Sequence, residues 1–189
     1  MGIAERKTRQ RTEREARITA AARLVADAEG WPAVTIRRLA EEIEHSQPVL
    51  YSHFANREAI VGAVAVDGFR ELATVLRHAA GTAVDRRGAV ENVAVSYLAF
   101  AREHPALYEA MFTLPNGLRY ADAETRPELK EAFAALVAVA GAGDGGGASP
   151  TEVFWASLHG LAELERSGRI KPEARGERVA LVVRGVLGG

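Results

Sequence analysis

The side chains able to do chemistry crowd into one short stretch, residues 35–57. Thr35, Arg37, Ser46, Gln47, Pro48, Val49, Tyr51, Ser52, His53 and Arg57 all fall there. Gln47 carries a donor and an acceptor in one plane and can pair with adenine N6 and N7, while Pro48 or Val49 can touch a thymine methyl. Tyr51, His53 and Arg57 can donate to phosphate oxygens, contacts that position a protein without reading sequence. Thr35 and Ser46 sit where helices start, so free N–H groups and positive dipole ends beside them can face phosphates. The set suits binding to a polyanion.

Catalytic patterns are missing from the sequence. No glycine-rich phosphate loop follows a strand, and no nucleophile elbow occurs. The cluster from Gly143 to Gly147 lacks a P-loop lysine. Cys is 0, which removes disulfide scaffolds, thiolate zinc sites and cysteine catalysis. His45, His53, His78, His104 and His159 show no metal-ligand spacing. The expectation is a protein that is not an enzyme, with no catalytic residues, no metal and no cofactor.

Helices must position these groups. Thr12 to Glu15 reads as a capping box opening a first helix that runs to about Ala28, with Ile18, Ala22 and Val25 inward and Gly30 as the stop. Thr35 caps a short helix in which Ile36, Leu39, Ala40 and Ile43 form one buried stripe. Ser46 caps the next, with Pro48 in its first turn and Leu50 and Phe54 inward. Asn56 caps a long fourth helix reaching about Ala80. Five more helices follow, with starts marked by Pro105, Pro127, Ser149-Pro150 and Pro172. Gly141 to Gly147 reads as a flexible connector. The fold expected is all-α, about nine helices, with a three-helix N-terminal unit and a larger helical body.

Charge and hydropathy agree with this plan. The chain has 189 residues, 48% hydrophobic and 26% charged, enough for a sizeable core. Its longest uncharged run, Ala132 to Gly143, is too short to span a bilayer, which takes ~20 apolar residues. The first residues are charged, without an apolar leader, so a cytoplasmic location is expected and no membrane partner. Residues 1–25 carry seven basic and three acidic side chains, whereas residues 58–189 carry 14 basic and 17 acidic. A basic end on a mildly acidic body fits a polyanion at one end, and equally a solvated terminal helix.

Two short helices joined by a tight turn suggest a helix-turn-helix, whose second helix fits the ~12 Å major groove of duplex DNA. The run TIRRLAEEIEHSQPVLYSHFANREAIV resembles the DNA-binding segment of the TetR family of transcriptional regulators. Thr35, Leu39, Ala40, Ser46, Leu50, Tyr51, Phe54 and Glu58 stand where that family usually has those residues, and Arg57 stands where Lys is usual. The sequence departs from the pattern at Glu44 and His45, where the family has Gly and then an apolar residue. A non-glycine residue held at φ > 0 costs roughly 1 kcal/mol.

VFWASLHGLAELERSG, with HPALYEAMF upstream, resembles the C-terminal domain of one branch of the family. The resemblance implies a DNA-binding domain over 1–56 and a ligand-sensing, dimerising body over 57–189. It implies a repressor that leaves a near-palindromic operator when an unidentified small-molecule effector binds. Phe69, Tyr97, Phe100, Tyr108, Phe112, Trp155 and His159 are the candidate effector contacts, although aromatics at helical spacing usually fill a core. The homodimer is expected through Val153, Ser157, Gly160, Leu164, Val179, Val182, Val183 and Val186. A helical protein-interaction module, or a constitutive DNA binder without an inducer, are the alternatives.

Overall fold

The structure, a computed structural model, describes residues 2–141 and 148–188. Among the described residues there are nine α-helices and no strand. They are α1 (Ile3–Glu29), α2 (Ile36–Glu42), α3 (Gln47–Tyr51), α4 (Arg57–Gly81), α5 (Arg86–Glu103), α6 (Pro105–Phe112), α7 (Pro127–Ala140), α8 (Ala148–Arg166) and α9 (Arg175–Leu187). Short 3-10 turns occupy Trp31–Ala33 and Pro172–Ala174. The all-α expectation holds.

The chain divides into two units. The first contains the residues up to Gly68 together with Ala106–Arg119. Its core takes Ile18, Ala22 and Val25 from α1, Leu39 and Ala40 from α2, Leu50 from α3, and Ile60, Val61 and Val64 from α4. Each large side chain buried this way contributes roughly 1.5–3 kcal/mol. Asn116 fixes the segment after α6: its amide nitrogen donates to the carbonyls of Ala110, at 2.9 Å, and Met111, at 3.3 Å. The Asn116 carbonyl in turn leaves no room at Gly62, where a β-carbon would come within 2.4 Å of it.

The second unit contains Phe69–Pro105 and the residues from Tyr120 onward. Here α5 packs against α7, α8 and α9, around the buried side chains of Tyr97, Phe154, Leu158, Val179 and Val183. Glu165 ties α8 to α9. Its carboxylate accepts from Arg175 Nε at 2.8 Å and from an Arg178 guanidinium nitrogen at 2.9 Å. Burial alone would raise the Glu165 pKa, but the hydrogen bonds and charges of the two arginines outweigh it and hold the group below the ordinary carboxylate range.

Several helix ends differ from the sequence reading. α1 starts at Ile3, nine residues before the Thr12 capping box. Thr12 does not cap; its hydroxyl donates to the Thr8 carbonyl at 3.2 Å, one turn back inside the helix. Ion pairs at i,i+4, Arg9 with Glu13 and Arg11 with Glu15, support those extra turns. α8 begins at Ala148, so Ser149 lies inside its first turn instead of capping it. The glycine connector falls mostly on residues 142–147, outside the described residues.

Glu44 adopts the backbone that its sequence neighbourhood demands, φ +56°. The His45 N–H donates to Ala40 O at 2.8 Å and the Glu44 N–H to Glu41 O at 3.2 Å. These two bonds close α2 in the pattern that places a left-handed residue, usually Gly, just past a helix. Glu44→Gly is expected to stabilise the protein by roughly 1 kcal/mol, read as a higher urea midpoint at unchanged slope. A lower midpoint would show that Glu44 is held by contacts that outweigh the backbone strain.

Candidate nucleic-acid interface

α2, the turn at Glu44 and α3 form the helix-turn-helix. The Thr35 hydroxyl accepts from Arg38 N at 3.1 Å and caps α2. Ser46 stands at the start of α3, but its hydroxyl makes no capping bond there; the Val49 N–H closes the turn on Ser46 O at 3.0 Å. α3 has five residues, and Leu50 is its anchor, at 0% exposure. Gln47, Pro48 and Ser52 are exposed, Val49 is half-buried, and Tyr51 is 54% exposed. The Ser52 hydroxyl donates to Val49 O at 2.6 Å, so its proton serves the end of its own helix. Arg37 is exposed on α2, 3.7 Å from Glu41.

Two of the expected phosphate donors are placed otherwise. His53 has 7% of its side chain exposed and sits 3.3 Å from Glu15 of α1, which also accepts from Arg11 Nε at 2.8 Å. Arg57 donates through Nε to Val34 O at 2.8 Å and through its guanidinium to Trp31 O at 2.7 Å. Its guanidinium carbon lies 5.9 Å from the Trp31 ring centre, within cation–π range. Trp31 is 2% exposed and donates from its indole to Ala106 O at 2.8 Å. An aromatic residue wedged between Gly30 and Pro32 was the one available signal.

The seven candidate effector contacts are not all brought together. Trp155 Nε1 donates to the Tyr97 hydroxyl at 3.1 Å, and the His159 ring lies 6.5 Å from the Trp155 ring. Burial lowers the His159 pKa, favouring the neutral imidazole. Phe69 pairs with Tyr120 and Phe100 with His104. The Tyr108 and Phe112 rings meet at 4.7 Å, tilted by 51°, but they belong to the first unit, so the gathered set in the body is Tyr97, Trp155 and His159.

The expected dimer residues also divide. Val153 is 65% and Leu164 37% exposed, and Ser157 and Gly160 are half-exposed. Val182 and Val186 are half-buried. Val179 and Val183, at 3% and 1%, are packed into the protomer's own core because they form the inner stripe of α9. Leu181, which the sequence reading passed over, is 58% exposed on the other side of that helix. An open groove of about 350 Å³ runs between α8 and α9, lined by Ser157, Gly160, Leu164, Leu181 and Val182 among others.

Comparison with known proteins fits this geometry. Residues 18–64 match the family described as bacterial regulatory proteins, tetR family. Residues 90–186, about half of the chain, match the tetracyclin repressor-like C-terminal domain. The chain belongs to the TetR family. It is 34% identical over 146 residues to the uncharacterized HTH-type transcriptional regulator Rv0681 of Mycobacterium tuberculosis, a match covering 75% of this chain and 65% of that protein. A protein of unknown function from Rhodococcus sp. RHA1 has a similar fold, with TM-score 0.71 at 24% identity over 92% of this chain and 94% of that one. A TetR family transcription regulator from Marinobacter aquaeolei VT8 gives TM-score 0.64 at 17% identity, covering 95% and 97%. Membership in a family of regulators sets the protein apart from enzymes. No helix among the described residues is long and apolar enough to cross a membrane.

In this TetR family chain the Arg57 fork is a structural bond before it is anything else. Arg57→Ala removes two hydrogen bonds from a charged donor and is expected to destabilise the protein by roughly 2–3 kcal/mol. Arg57→Lys should recover part of that stability. Chemical denaturation checks both variants; an unchanged midpoint for Arg57→Ala, with DNA affinity reduced, would assign the residue to phosphate contact instead.

Proposed function

We propose that this TetR family protein is a homodimeric DNA-binding repressor, reading a near-palindromic operator with α3 and released from it by a small molecule. The observation that carries the reading is the division of α3. Leu50 is sealed in the core at 0% exposure, whereas Gln47 and Pro48 are exposed and Tyr51 is 54% exposed. A one-turn helix locked from behind and polar in front has the dimensions of a major-groove reader. Residues 1–56 supply the reading head, and residues 57–189 supply sensing and dimerisation.

Selection of bound duplexes from a random library tests the class, and should return two half-sites about one helical turn apart. Gln47→Ala should then change base preference at one position per half-site, by ~1–3 kcal/mol if its contact is bidentate. Unchanged affinity and preference would remove Gln47 from the reading set.

Dimerisation is assigned to the exposed parts of α8 and α9. Val153, Leu164 and Leu181 leave apolar surface outside the protomer core, and Gly160 adjoins the groove with nothing within 4 Å of an added β-carbon. Gly160→Arg is therefore tolerated within one protomer, and any effect falls on association. Sedimentation should show a dimer for the native protein at micromolar concentration and a weaker one for Gly160→Arg; equal association would move the interface elsewhere.

For the effector, the polar trio Tyr97, Trp155 and His159 supports an amphipathic molecule with one hydrogen-bonding end. Such a ligand releases DNA only through different affinities for the two states. DNA then weakens its binding by the same factor.

A further inference from the structure

We infer that the first four turns of α1 form a helical arm that grips the phosphate backbone of duplex DNA outside the base pairs read by α3. The inference rests on the DNA-binding reading above and extends it to residues that reading does not use. α1 is 27 residues long, yet its buried side chains begin only at Ile18. Everything described from Gly2 to Arg17 is exposed, Glu15 excepted and Ile3 aside.

The charges of this arm are sorted. Arg9 is paired with Glu13 at 3.4 Å and Arg11 with Glu15 at 2.8 Å. Glu5 is taken by the Gly2 N–H at 2.9 Å. Among the described residues, Arg6, Lys7, Arg14 and Arg17 have no ion pair or side-chain hydrogen bond. At about 100° per residue those four fall within roughly 100° of arc, with Glu5 on the opposite side. The acidic side chains thus neutralise cations off the stripe and leave the stripe itself uncompensated. The ion pairs also hold the helix, so the four cations are presented at fixed spacing and need no ordering on contact.

Length and charge choose the partner. Arg6 to Arg17 spans about 16 Å of helix axis, the length of roughly five base pairs. α3 is about 7.5 Å long and fills its groove alone. A second contact of the arm's length falls outside that site. Its stripe carries four cations around one amide, Gln10, so ammonium and guanidinium groups dominate it and it matches phosphates rather than bases. The arm also starts from a fixed base: Glu15 contacts His53, two residues past the end of α3, at 3.3 Å.

The test uses the full chain with Arg6, Lys7, Arg14 and Arg17 all changed to Gln. Glutamine keeps helix propensity close to that of Arg and Lys, and circular dichroism checks that the helix survives. Affinity is measured against salt on two duplexes, the selected operator alone and the operator with ten flanking base pairs on each side. On the long duplex the native protein should show a steeper salt dependence than the variant. The slopes should differ by about 0.9 for each phosphate the variant no longer neutralises, up to ~3.6 per protomer. On the short duplex the two proteins should nearly coincide. Equal slopes on the long duplex would overturn the arm, leaving its cations to an acidic protein or to solvent. An equal drop on both duplexes would overturn its placement outside the core site. A native protein that binds neither duplex would instead overturn the DNA-binding reading on which the arm rests.

Discussion

The Arg57 guanidinium, bonded to the carbonyls of Trp31 and Val34, holds the reading head in place. Those carbonyls flank the 3-10 turn that ends α1, and Arg57 is the first residue of α4. The whole α2–turn–α3 segment therefore lies between two points that one side chain clamps together. The clamp matters because α3 is five residues long. A single turn cannot sustain itself in water, since nucleation fixes many dihedrals for one hydrogen bond. Its shape comes from outside: from Leu50 in the core, from the Thr35 cap on α2, and from the fixed entry and exit. Trp31 extends the clamp to α6 through its indole bond to Ala106 O. Charged hydrogen bonds of this kind contribute about 1.5–3 kcal/mol, enough to decide whether so short an element is ordered.

Much of this was legible in the residues. Helix starts written in short-range chemistry stand where the sequence puts them: at Thr35 and Asn56 a cap and its partner N–H lie within three residues of each other, and at Pro127 the fixed φ of proline suits the first helical position. The strain at Glu44 was legible for the same reason: a turn this tight needs a left-handed residue whatever occupies the position. The α3 face was legible from Leu50, whereas Phe54, expected inward on the same helix, lies beyond its end at Tyr51 and is half-buried. What escaped depends on partners far along the chain. Arg57 looks like a solvent-facing cation until its carbonyl acceptors, 23 and 26 positions away, are known. His53 looks like a donor until Glu15, 38 positions away, covers it. Tyr108 and Phe112 follow α6 into the first unit, which no local pattern announces. α9 shows a valine stripe, but periodicity cannot say whether a stripe faces its own core or a second copy.

The electrostatics divide along the chain as its composition suggests, with one addition. Both glutamates that follow Glu5 in the first four turns of α1 act inside the helix, pairing with cations one turn earlier. They do two things at once. They stabilise a segment whose described side chains before Glu15 are all exposed, and they select which cations remain unneutralised. Near α3 the balance reverses: Arg37 and Arg38 are both engaged by carboxylates. Direct cationic contact from α2 is thereby reduced, and the exposed side chains Gln47 and Tyr51 on α3 are neutral. Under the proposed reading, uncharged groups read the sequence and cations elsewhere supply attachment.

The same separation governs α8 and α9. Val179 and Val183 are committed to the protomer, so they cannot also bury surface against a second copy. The proposed interface on α8 and α9 therefore uses their opposite sides, where Val153, Leu164 and Leu181 are exposed and where Gly160 and Gly185 have nothing within 4 Å of an added β-carbon. Apolar side chains beside bare glycines let helices approach closely, and dispersion contacts rise steeply at short range. The Glu165 clamp to Arg175 and Arg178 holds α8 and α9 in a single relative position. An apolar interface of this kind would gain little from removing salt, while the phosphate contacts proposed for the first unit would depend strongly on it. Under the proposed reading, ionic strength is expected to act on DNA occupancy while leaving assembly largely intact, so the two halves of the reading can be varied one at a time.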